Sequence, residues 1–380
     1  VQTPSNVAIT SIVDLTNQSV YVGDQSFNIR VNYGNTGGTA AINVDSVLAY
    51  NGYLYLSSNN PSGITVPGSG TAYQNFVVTV STSATSQNPV EIDANWTGIE
   101  KYSSDALSGS SNSNDLDVAI QSQANVLITQ ITDTSGVGVY VGGQSFNVTI
   151  VYQNTGGTDA LNVDGTITYN GATGLISNNP AALNVPAGGF AYQNFSITVS
   201  SGVTTQDPVI IDADWTGTEQ YSSRALSGSS GANDLTIRIQ SQASLSIMQI
   251  VDLMAHPVYV GGEIVQIRVD YQNTGGTGVI NVDSTLTYNG YGYLTSTNPA
   301  PINITAGSTG SQEFNVTIAT TAVSQNPVTI DATFSANENY SSRVVSGSSG
   351  TNDLDLVIQS RASVSITSIV YSSGTGTYVG

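Results

Sequence analysis

The chain has 380 residues, 39% hydrophobic and 9% charged, with 26 Asp and Glu against 7 Lys and Arg for a net charge of −19. Such an acidic balance excludes nucleic acid and anionic membrane surfaces as partners, since both require a cationic face. The absence of cysteine excludes disulfides and thiolate metal sites, and no apolar run is long enough for a transmembrane helix.

Internal repetition organises everything else. The string Asn-Thr-Gly-Gly-Thr begins at Asn35, Asn154 and Asn273, a spacing of 119 both times, and Tyr21, Tyr140, Tyr259 and Tyr378 keep the same period. The repeats are therefore 6–124, 125–243 and 244–362. Residues 1–5 align with the tail of a preceding repeat or linker, and 363–380 with the first strand of a fourth, incomplete one. The expectation is a window on a longer array.

Along the middle copy the apolar period is two, the mark of strands. Val126, Ile128 and Ile131 open the domain, with a break in alternation that predicts a bulge. Phe146 to Tyr152, Leu161 to Tyr169, a short run at Leu175, Phe195 to Val199, Val209 to Trp215 and Leu235 to Ile239 follow. Asn170-Gly171, Asn179-Pro180, Pro186 and Asp207-Pro208 punctuate them as turns. About seven strands per repeat predict an all-β protein of tandem immunoglobulin-like β-sandwich repeats in a rod-like array. Trp96, Trp215 and Phe334 share one inward position and are expected in the core. The stretch Gly217–Asn233 reads as a long sixth-to-seventh loop of fixed length, expected to buttress the junction. Leu235–Gln240 runs through Ser241-Gln242-Ala243 into Leu245 without Gly or Pro, which predicts a stiff joint.

The pattern Tyr-Val-Gly-Gly-x-Ser-Phe-Asn-Val-Thr at 140–149, followed by Tyr-Gln-Asn-Thr-Gly-Gly-Thr at 152–158, resembles the CARDB-type domains. These are immunoglobulin-like modules of bacterial and archaeal cell-surface and adhesion proteins. The resemblance covers the first half of each repeat and implies an extracellular, non-catalytic module.

Candidate site residues follow the repeat. Asp45, Asp164 and Asp283, Glu100, Glu219 and Glu338, and Asp115, Asp234 and Asp353 recur, and immunoglobulin topology places them near the pole facing the preceding repeat. Hard oxygen ligands gathered there are candidates for a junctional Ca²⁺; no other cofactor is indicated. Sequons for N-glycosylation stand at Asn17, Asn95, Asn147, Asn194, Asn303, Asn315 and Asn339. Tyr102, Tyr221 and Tyr340 in the long loop are candidates for contact with a neighbouring domain or chain. The single histidine, His256, has no counterpart in the other copies, so no catalytic constellation is expected and no enzyme. The functional expectation is an extracellular stalk, surface-layer or filament component whose main partner is itself. The alternatives are an adhesin or carbohydrate binder with a cell-surface or glycan ligand, and the accessory array of a secreted hydrolase. Residues 363–380 could also complete another chain's sandwich by strand addition.

Overall fold

The computed structural model describes residues 2–370. Among these there is no helix, and each repeat holds ten strands. In repeat 1 they are β1 (Val7–Asp14), β2 (Val20–Val22), β3 (Ser26–Asn35), β4 (Ala41–Ala49), β5 (Leu56–Ser58), β6 (Ile64–Val66), β7 (Thr71–Val80), β8 (Gln87–Glu100), β9 (Ala106–Ser110) and β10 (Leu116–Gln121). The set recurs from Val126 to Gln240 and from Leu245 to Gln359.

One sheet has four strands in the order β1-β3-β7-β5; the other has six, ordered β2-β10-β8-β4-β6 with β9 also on β8. The chain crosses between sheets after β1: β1 is antiparallel to β3, while β2 runs parallel to the last strand, β10. That split first strand and the interleaved order make the fold immunoglobulin-like. The bulge is present, as a register shift between Ile128 and Gln130.

Three of the ten strands differ from the sequence expectation of about seven. β2 and β6 are short edge strands beside turn residues, too brief to show a period. The third, β9, lies in what was expected to be loop. β8 and its counterparts Gln206–Glu219 and Gln325–Glu338 are fourteen residues long. Their first half carries the final strand, and their second half folds back into a hairpin with β9 or its equivalents Ala225–Ser229 and Val344–Ser348. Ser and Gly make up most of this hairpin strand, so it lacks the apolar alternation that betrays strands.

Each repeat has its own core between the sheets. Phe27, Ile29, Val31 and Tyr33 are at most 1% exposed. Trp96, Trp215 and Phe334 are buried there, as their inward register requires. A buried polar bridge crosses each sandwich: Gln74 Oε1 accepts from Tyr33 Oη (2.6 Å) and from the Ser46 N–H of the opposite sheet (3.0 Å). Gln193 and Gln312 repeat the tyrosine bond. Burial pushes the Tyr33 phenol up to about 12, so it stays a neutral donor.

Residues 363–370 form no strand and are exposed. Residues 371–380, including Tyr378, lie outside the described residues.

Candidate functional site at the repeat junctions

The four linker residues 122–125 are bonded to both repeats they join. On the upstream side, the Ser122 N–H donates to Ser86 Oγ (3.0 Å) and Gln123 Nε2 to the Gly23 carbonyl (2.9 Å). On the downstream side, Gly157 N–H reaches Ser122 Oγ (2.8 Å) and Thr158 Oγ1 the Ser122 carbonyl (2.8 Å). Asn154 Oδ1 accepts from the N–H groups of Asn125 and Gly156, both at 3.0 Å. The Asn-Thr-Gly-Gly-Thr motif is thus the seat of the linker. Its glycines are needed for close approach: a Cβ on Gly156 would lie 2.0 Å from the Gln123 carbonyl oxygen, and one on Gly157 2.1 Å from Ser86 Oγ.

A buried ion pair clamps the same linker. Glu219 ends the long strand with its side chain fully buried against a half-buried Arg224. Its Oε1 accepts from the Ala124 N–H and from Arg224 Nη2 (2.9 Å), its Oε2 from Ser222 Oγ and Arg224 Nε (3.2 Å). Arg224 Nη2 also reaches the Ala124 carbonyl (3.1 Å). Glu338, Arg343, Ser341 and Ala243 repeat the arrangement. Burial opposes ionisation of Glu338. The Arg343, Ser341 and Ala243 donors outweigh it and hold the carboxyl below its ordinary value.

The turn beyond this carboxylate touches the preceding repeat directly. Gln25 Nε2 donates to the Tyr221 carbonyl and Gln144 Nε2 to that of Tyr340, both at 3.1 Å. Tyr221 and Tyr340 have φ of 65° and 66°. The Ser222 N–H bonds back to the Gln220 carbonyl, and Ser341 to Asn339, closing strained γ-turns of the rare type. Tyr102 takes no positive φ.

The recurring acids do not converge. Leu235, next to Asp234, pairs with Ile211, and 219 − 211 places it eight residues along the strand from Glu219, roughly 25 Å. Asp234 and Asp353 accept from Ser230 and Ser349 hydroxyls at the break between the two final strands. Asp45 and Asp164 accept from Gln74 and Gln193, at 3.0 and 3.4 Å; Asp283 Oδ1 is buried without a partner. Glu100, Glu219 and Glu338 hold the linker or its counterpart at residue 5. The expected junctional grouping for Ca²⁺ is therefore replaced by an arginine in repeats 2 and 3. Asp115 instead meets Glu91 and Asp93, oxygen atoms within 4.8 Å, midway along the sheet of repeat 1. Burial first, then Asp115 beside it, pushes the Asp93 carboxyl up to about 6.

Six of the sequon asparagines are exposed: Asn17, Asn95, Asn147, Asn194, Asn303 and Asn315. Asn339 is half-buried, its Oδ1 accepting the Tyr340 N–H inside the junction turn. Residues that sequence reasoning missed are Arg224, Arg343, Gln25 and Gln144. The signal available for the first two was Glu-x-Tyr-Ser-Ser-Arg in two copies out of three.

No family model matches the chain, and no curated protein sequence matches it. Among solved structures, it is similar to the ICAM-5 D1–D4 ectodomain fragment at 9% identity, over 92% of this chain and 77% of that one, with a TM-score of 0.27. It is also similar to the periplasmic chaperone SfaE (12% identity, 62% and 99% covered, TM-score 0.21). A protein of unknown function from Porphyromonas gingivalis W83 is comparable, at 11% identity, 62% and 98% covered, and TM-score 0.20. Likenesses this weak carry no argument, and the immunoglobulin-like assignment rests on the strand order. Among the described residues, no helix is long and apolar enough to cross a membrane.

Proposed function

We propose that the chain is a length of an extracellular structural protein of CARDB type, a stiff stalk or filament whose working part is the repeated junction. The observation that carries this reading is that both internal junctions make the same set of bonds, down to the Glu–Arg clamp. A flexible tether needs no such bonds, and no glycine or proline is present to give slack. Catalysis has no part in this reading. Small-angle scattering of the whole chain tests it: an extended, rigid profile is expected, and the profile of a flexible string would reject it.

A second reading, a glycan-binding adhesin, is favoured by one feature. On the outer face of repeat 1, a shallow cavity of about 610 Å³ is lined by Thr10, Asn32, Thr71 and Tyr73. Arg30, however, lies 4.1 Å over the Tyr73 ring and occupies the face a sugar would stack on. A glycan-binding screen with wild type and Tyr73→Ala separates the two readings. The accessory array of a secreted hydrolase stays a third reading, supported only by the tandem design.

A further inference from the structure

We propose that the outer face of the four-stranded sheet of repeat 2 binds a neutral oligosaccharide, with Tyr192 as the stacking ring and the amides of Asn178 and Asn194 as donors to sugar hydroxyls. The proposal rests on the glycan reading above and moves its site from repeat 1 to repeat 2. It leaves the stalk reading untouched, because the bonds that build the site stay within repeat 2.

The ring is bare. Tyr192 is 61% exposed, and Phe190, two residues before it on the same face of the strand, is 51% exposed. Repeat 1 has Tyr73 at the Tyr192 position, but there Arg30 covers the ring and its Nε donates to Asn75 Oδ1 at 3.0 Å. In repeat 2 the arginine position is Thr149. Among the described residues, no cation or second ring stacks on Tyr192. Repeat 3 has Ser311 there and lacks the ring altogether. An open aromatic face beside hydrogen-bonding groups is suited to the C–H face of a sugar ring, which is apolar at its centre and polar at its rim.

Beside the ring lies a trough. A shallow cavity of about 390 Å³ is lined by Thr134, Asn147, Thr149, Asn178, Asn194 and Ser196. Asn194 is directly opposite Thr149, and Ser196 opposite Asn147, across two paired strands. Thr149 Oγ1 donates to Asn194 Oδ1 (2.6 Å), and the Ser196 N–H donates to Asn178 Oδ1 (2.7 Å). Each bond engages the acceptor of an amide and leaves its two N–H donors for a ligand. The amides are thereby held in one orientation, so binding costs little side-chain freedom. Asn147, exposed, adds a further donor and acceptor. Tyr192 and Asn194 are about 7 Å apart along the strand, so adjoining sugar units reach the ring and the amides together.

Charge selects the ligand. The strands of this sheet carry one charged residue, Asp133. Its carboxylate is engaged by Tyr140 Oη (2.6 Å) and by the N–H groups of Ser135 (2.9 Å) and Gly138 (3.1 Å). The same sheet in repeat 3 bears Arg268, Asp270 and Glu313. A face of amides, hydroxyls and rings, on a chain of net charge −19, suits an uncharged saccharide and repels an acidic one.

Saturation-transfer NMR on the whole chain tests this, with neutral tetrasaccharides of glucose, mannose, galactose and N-acetylglucosamine and with tetragalacturonate as the acidic control. Asn147 and Asn194 are also sequon residues, so the chain is made in a host without N-glycosylation. Saturable binding of a neutral sugar in the millimolar range is expected from so shallow a site, and none of the acidic one. Tyr192→Ala should weaken it about tenfold and Asn194→Ala about fivefold, whereas Tyr73→Ala should leave it unchanged. All three side chains are exposed, and unchanged melting temperatures would show that the variants fold. Binding that survives Tyr192→Ala but is lost in Tyr73→Ala overturns this site and leaves the glycan reading standing. No binding of any neutral sugar removes both, and equal binding of tetragalacturonate overturns the preference for uncharged ligands. Sugar found attached to Asn147 or Asn194 in the native chain by glycopeptide mass spectrometry would fill the trough covalently and overturn the free ligand.

Discussion

The same string, Glu-x-Tyr-Ser-Ser, occurs at the upstream pole of all three repeats and takes two backbone forms. Where a repeat body is docked, Tyr221 and Tyr340 are held at positive φ in γ-turns, and their carbonyls accept from the preceding repeat. On repeat 1, where only residues 2–6 occupy the seat, Tyr102 has no positive φ. The docked form costs strain of about 1–3 kcal/mol, offset by the inter-repeat bond and the ion pair beneath it. The turns also differ in sequence, since repeat 1 carries Lys101 and Asp105 where the docked turns carry a neutral residue and an arginine.

The largest expected break in this comparison is at the clamp. Glu219→Gln should cost roughly 2–4 kcal/mol at the first junction. That is less than the roughly 3–5 of a fully buried pair, because Arg224 keeps part of its surface in water. Hydrogen exchange should show the loss as faster opening of the Ala124 N–H. Next comes Gly156→Ala, whose Cβ has no room; overpacking of about 1–3 kcal/mol should loosen the same joint, visible as a more flexible scattering profile.

Tyr221→Gly should stabilise the docked junction by about 1 kcal/mol in thermal melts, since glycine carries no penalty at positive φ. Tyr102→Gly should give no gain. A gain at both positions would sink the link between docking and strain. Gln25→Ala, far from the flanking residues, should let Tyr221 relax, read from its backbone coupling constants.

Acid separates the two regions by sign. The Asp93 carboxyl, pushed up to about 6 in the folded state, binds its proton more tightly there than in the unfolded chain. Repeat 1 should therefore gain stability as pH falls from 7 through 6. Glu338 lies below its ordinary value. Its stabilisation of the second junction is present at neutral pH and lost only as pH falls below the ordinary glutamate range. Melting profiles against pH should show both limbs, and Asp93→Asn should remove the first. Adding or chelating Ca²⁺ should leave junction opening unchanged, the smallest effect expected, because Arg224 and Arg343 already neutralise the carboxylates there.

Strand placement was legible in the sequence wherever a strand buries one face. The alternation of Phe146, Val148, Ile150 and Tyr152 dictates a buried row, and all four are at most 1% exposed. The hairpin strand Ala225–Ser229 was not legible, because Ser and Gly on a mostly exposed strand leave no period. The recurring acids were visible as a set, but their grouping was not. Whether Glu219 meets Asp234 or Arg224 depends on how far along one long strand each sits.

For the junction, the sequence alone determined the period, the shortness of the linker and the glycine pair that allows close approach, all of them local properties of the chain. Only the tertiary structure decided what the glycines admit, which guanidinium closes on Glu219, and that Tyr221 leaves its ordinary backbone form. Those depend on contacts between residues about 100 apart, where spacing in sequence carries no distance.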